Sequence, residues 1–64
     1  MTALLSQRDC ARLLGLSVRT LERMRVSGTG PKFLKIGNAV RYRLQDIEAW
    51  LASRVVSSTS AAAG

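Results

Sequence analysis

Histidine is missing from this chain, cysteine occurs once, and the aromatic residues are one Trp, one Tyr and one Phe. Without imidazole, catalytic triads of the Ser-His-Asp or Cys-His kind are excluded, and so are the usual zinc fingers; the lone Cys10 cannot form an internal disulfide. We therefore expect no enzyme, no catalytic residue, no metal and no cofactor. Acidic side chains are scarce as well, with four Asp and Glu against ten Lys and Arg and a formal charge of +6. No apolar run approaches the roughly 18 residues that a membrane span needs, and the N-terminus has no basic segment leading into a long apolar one, so the reading is a cytoplasmic protein with no membrane partner. A chain of 64 residues buries only about 60% of the surface it exposes when unfolded, which leaves room for one small core and not for an enclosed substrate cavity.

What is present is charge, and its position matters. Residues 19–43 hold Arg19, Arg23, Arg25, Lys32, Lys35, Arg41 and Arg43 against Glu22 alone, whereas Arg8, Arg12 and Arg54 are offset by Asp9, Asp46 and Glu48. A charge run is commonly no more than a solvated face. The concentration of all the net charge in one contiguous segment, however, points to a polyanion, most simply nucleic acid.

Hydrophobic spacing and capping residues predict the elements. Ser6 followed three residues later by Asp9 has capping-box spacing, Leu5 and Cys10 stand at staple positions, and Cys10, Leu13 and Leu14 recur at helical intervals; this predicts a first helix from about Gln7 to Leu14. Gly15 is placed to end it, and Ser17 to cap a second helix that runs to about Val26 with Leu21 and Met24 on its buried side. Helices separated by so short a turn must cross. "SGTGP" then predicts a loop, and "KFLKIGNAVRYRL" a two-stranded hairpin turning at Gly37 and Asn38. We expect Leu34 and Ile36 of one strand and Val40 and Tyr42 of the other to face inward, with Lys35, Arg41 and Arg43 on the outer face; Phe33 falls on that face too and either folds back over the loop or is exposed. Leu44, Ile47, Trp50 and Leu51 mark a third helix with Asp46 and Glu48 near its N-terminal end. Tyr42 and Trp50 are expected in the core, and Cys10 as a small buried hydrophobe. The domain is expected to span 1–54, and 55–64 to form a disordered C-terminal tail.

Helix, tight turn, helix, two-stranded basic wing, helix is an α+β, mostly helical arrangement, the outline of a small winged helix-turn-helix. "LLGLSVRTLERMR" and "GTGPKFLKIGNAVRYRLQDIEAWL", with their spacing, resemble the phage excisionase and AlpA-type regulators, small DNA-binding proteins of the MerR-like winged helix-turn-helix superfamily. The likeness covers about Leu5 to Leu51. It implies that Ala11 lets the two helices approach, that Ser17 to Arg25 read a major groove, that Phe33 to Arg43 form a wing over phosphates and the minor groove, and that Arg41 is the family's recurrent wing arginine. In two respects the chain departs from that pattern: the long dimerising helix of full-length MerR regulators is absent, and Met24 stands where an aromatic residue is common.

Val18, Arg19, Thr20, Glu22 and Arg23 are accordingly the expected major-groove residues. Ser17, Arg25, Lys32, Lys35, Asn38, Arg41 and Arg43 are the expected backbone and wing residues. Each also has a plainer reading: Arg25 can compensate the end of its helix, Thr20 can serve its first turn, and Asn38 can simply form the hairpin turn. The expected partner is double-stranded DNA. Resemblance to excisionases adds a site-specific integrase and neighbouring copies bound head to tail, while the AlpA-type alternative is control of transcription. Outside DNA binding, a protein-interaction module with a basic docking face stays open. RNA binding is disfavoured because the three aromatics are spent mainly on packing.

Overall fold

Two serines set the start of the first two helices. In the structure, a computed structural model that describes residues 3–56, the Ser6 hydroxyl accepts from the Asp9 amide at 3.1 Å and the Ser17 hydroxyl accepts from the Thr20 amide at 3.0 Å. These bonds satisfy amides that the first turn leaves without intrahelical partners. They open α1 (Gln7–Leu14) and α2 (Val18–Ser27). α1 ends where Gly15 adopts φ 70°, a left-handed conformation that side chains with a Cβ rarely take. The Leu16 amide donates to the Ala11 carbonyl at 2.9 Å and the Gly15 amide to Arg12 at 3.2 Å, a Schellman motif that turns the chain at once into the Ser17 cap. α2 ends in the same way at Gly28, with the Thr29 amide on the Met24 carbonyl.

Three strands accompany the helices: β1 (Leu4–Ser6), β2 (Leu34–Ile36) and β3 (Ala39–Arg43), antiparallel in the order β1-β3-β2. β2 and β3 are the predicted wing hairpin. β1 adds a third strand that the sequence did not announce, since three residues are too few to show a period of two. It lies against β3, with Leu4 opposite Arg43, Leu5 opposite Tyr42 and Ser6 opposite Arg41.

The expected orientation of the wing is corrected. A two-residue turn at Gly37 and Asn38 pairs Ile36 with Ala39, Lys35 with Val40 and Leu34 with Arg41. Directly opposite residues share a face, so Leu34 and Ile36 stand with Arg41 and Arg43, while Lys35 shares the face of Val40 and Tyr42. Only one strand of the hairpin can follow its hydrophobic alternation inward, and β3, paired on both sides, does so. Ile36 consequently remains 54% exposed, and Phe33 stands on the core side of the hairpin with its ring 6.3 Å from that of Tyr42. Gly37 supplies the positive φ that the first turn position of such a hairpin requires.

The core is Cys10 and Ala11 of α1, Leu21 of α2, Tyr42 of β3 and Ile47 of α3 (Leu44–Ser53), flanked by Leu5, Leu14 and Val40. Ala11 and Cys10 are both buried, the latter as expected. Burial pushes the Cys10 thiol above its ordinary pKa, so it stays protonated at neutral pH. α3 begins without a side-chain cap. Instead the Leu44 amide donates to the Ala3 carbonyl at 3.2 Å, and the Arg43 guanidinium makes two bonds to the Asp46 carboxylate at 2.6 and 3.1 Å.

At its other end α3 holds the loop that joins α2 to the wing. Trp50 donates through Nε1 to the Thr29 carbonyl at 3.0 Å, and Arg54 donates to the same oxygen at 2.7 Å while its guanidinium lies 5.2 Å from the indole centroid. Trp50 is therefore half-buried over a loop and not in the core, and its N–H is satisfied by a backbone carbonyl. Val55 and Val56 follow α3 exposed. Residues 57–64, most of the expected C-terminal tail, lie outside the described residues.

Candidate nucleic-acid interface

α2 is fastened along one side and open along the other. Leu21 is fully buried and Met24 half-buried, which fixes the rotation of the helix. At 3.6 residues per turn, Arg19, Glu22, Arg23, Val26 and Ser27 then fall on a single outward stripe. All of them are exposed, and together they line a shallow surface depression. None of Arg19, Glu22 and Arg23 belongs to the ion pair or the side-chain hydrogen bonds found among the described residues. Three charged groups are thus displayed on a rigid helix with their hydrogen-bonding capacity unused.

The other predicted residues separate into three environments. Ser17 and Thr20 are tied to each other, since the Ser17 hydroxyl also donates to the Thr20 hydroxyl at 2.8 Å, so they shape the start of α2. Val18, the first residue of α2, lines a channel between the helix pair and the wing, together with Asn38 and Arg41. The Arg41 guanidinium is steadied there by a bond to the Val40 carbonyl at 2.9 Å. Lys35 is exposed on the core side of the hairpin, away from the face that carries Arg41. Lys32 sits in the loop before the wing, in a groove bordered by Asp46 and Trp50 of α3.

Arg25 and Arg43 are engaged within the fold. Arg25 donates from Nε to the Gln7 side-chain oxygen at 3.4 Å, and its guanidinium lies 5.6 Å from the Phe33 ring centroid. It links the end of α2 to α1 and to the base of the wing. Arg43 is held by Asp46, and the hydrogen bond to that carboxylate, reinforced by its charge, moves the already high guanidinium pKa further up. Both cations still add to the local positive potential.

Two residues that sequence reasoning did not select join these surfaces. Val26 is 80% exposed on the α2 stripe, and its helical spacing from Arg19, Arg23 and Glu22 is visible in the sequence. Arg8 of α1 lines the channel with Val18, Asn38 and Arg41. Its place follows from the crossing of α1 and α2, which sequence spacing does not give. Among the described residues no group of His, Cys, Asp and Glu could hold a metal ion, and no helix is long and apolar enough to cross a membrane.

Comparison with known families matches residues 4–55, every described element included, to a family described as a helix-turn-helix domain. No curated protein is similar to the chain at a significant level.

Proposed function

The chain belongs to the helix-turn-helix domain family, which supports sequence-specific DNA binding, and on that premise we propose that it acts as an excisionase, shaping DNA for a separate site-specific integrase. The observation that carries the DNA reading is the outward stripe of α2, where Arg19, Glu22 and Arg23 are exposed and uncommitted while Leu21 anchors the opposite side. Arginine forks donate paired hydrogen bonds to guanine edges, and a glutamate accepts from the cytosine amino group, so this stripe has the chemistry to read bases in a major groove. Val18 and Thr20 stand at the end of α2 that enters first. Arg41, Asn38, Lys35 and Lys32 supply backbone contacts that set register without reading sequence. Ser17 positions the helix, and Arg25 and Arg43 contribute mainly through the structure they hold.

The excisionase role rests on the resemblance of the helix pair, wing and last helix to that group, and on a limit of size. α2 has ten residues, about 15 Å of helix, against a groove about 12 Å wide. One such helix reads only a few base pairs, too little to single out a site among a genome's competitors. Neighbouring copies bound head to tail on repeated sites would supply the missing information and bend the duplex. The test is recombination reconstituted with the cognate integrase and its attachment DNA. Addition of the protein is expected to raise excision and suppress integration. Unchanged rates in both directions, with the protein still occupying a promoter, would replace the excisionase role with AlpA-type transcriptional control.

A further inference from the structure

The channel between the helix pair and the wing is built by three parts of the chain that are remote in sequence. Gln7 and Arg8 come from the first turn of α1, Val18 from the first turn of α2, and Asn38 and Arg41 from the wing. Its lining includes Arg8 and Arg41 and no acidic residue. Arg8 is exposed and takes no part in the ion pair or the side-chain hydrogen bonds found among the described residues. Arg41, which borders the same space from the wing, is steadied by its bond to the Val40 carbonyl. The Gln7 side-chain oxygen accepts from Arg25, and the Gln7 amide nitrogen keeps its capacity to donate. Two like charges bordering one open space gain nothing from each other. Such an arrangement is relieved by an anion between them, and guanidinium forks match the oxygens of a phosphate in particular.

We infer that this channel seats one backbone phosphodiester of the bound duplex, with Arg8 and Arg41 on its two sides, and that Arg8 is a DNA-positioning residue. The inference rests on the DNA reading above and extends it to α1. A strand passing between the start of α2 and the wing would be gripped beside the major groove that α2 enters. Arg8 then adds one phosphate contact to affinity and contributes no base preference of its own.

The test compares Arg8→Gln with Arg12→Gln, two variants of identical net charge on the same helix, of which only the first alters a residue lining the channel. Both side chains are exposed, and thermal melts of the two variants check that the fold is kept. Affinity for a duplex of random sequence is measured across a salt series, and base preference with a randomised duplex library. The slope of log affinity against log salt is expected to fall by about 0.9 for Arg8→Gln, the value for one phosphate, and to stay at the wild-type value for Arg12→Gln. Arg8→Lys should keep the slope, and base preference should be unchanged in all three. Equal slope losses in the two Gln variants, or a wild-type slope in Arg8→Gln, overturn the channel site while leaving DNA binding intact. Wild-type protein with no salt-dependent retention of DNA would overturn the DNA reading itself and the channel site with it.

Discussion

The phenol of Tyr42 is fully buried in the core with Cys10, Ala11, Leu21 and Ile47, and its hydroxyl has no hydrogen-bond partner among the described residues. A buried hydroxyl left without a partner costs roughly 1–3 kcal/mol, whereas its ring contributes packing that Phe would keep. Tyr42→Phe is therefore expected to raise stability by about 1 kcal/mol, or about 4–8 °C in a thermal melt of so small a domain. A lower melting temperature would mean that the hydroxyl is bonded. Burial, followed by the charges of Cys10 and Glu22 and against the opposing effect of Arg25, also raises the phenol's pKa above its ordinary 10.0. Because the folded state holds this proton more tightly than the unfolded one, stability is retained below pH 10 and lost as pH rises beyond it. Tyr42→Phe should remove part of that alkaline loss, as a melt series above pH 9 would show.

At the scale of elements, the end of α3 governs the loop between α2 and the wing. The Trp50 indole and the Arg54 guanidinium both donate to the Thr29 carbonyl, so one backbone oxygen ties the last helix to the exit of α2. Trp50→Phe keeps most of the ring and removes one bond, an expected loss of about 1 kcal/mol. Amide hydrogen exchange should accelerate in residues 28–33 and remain unchanged in α1. Uniform acceleration throughout the domain would show that Trp50 supports the whole core and not this loop. The helices were legible in the sequence because serine caps, glycine stops and apolar spacing agreed with one another at Ser6, Gly15 and Ser17. β1 was not legible, since its identity comes from pairing with β3 and not from its own three residues. The wing was half legible. Its turn and strands are where the sequence put them, but the pairing of Leu34 with Arg41 opposes the alternation of β2, and only the three-stranded sheet decides which strand wins. Arg8 escaped notice for a similar reason, because the crossing of α1 and α2 brings it to the channel.

For the molecule as a whole, the central claim is a division of labour: α2 selects sequence while the wing supplies affinity. Arg23 is exposed on the α2 stripe and Arg41 stands in the wall of the channel, so each can be altered without disturbing the buried side chains of Leu21 or Tyr42. The direct measurement is binding to a randomised duplex library, at low and at physiological salt, by the wild type, Arg23→Ala and Arg41→Ala. Arg23→Ala should flatten the preference at one base position, a change of about 1–3 kcal/mol in discrimination. Arg41→Ala should weaken all sequences alike and lower the salt slope by about 0.9. Equal losses of base preference in the two variants, or a uniform weakening in both, would contradict the account.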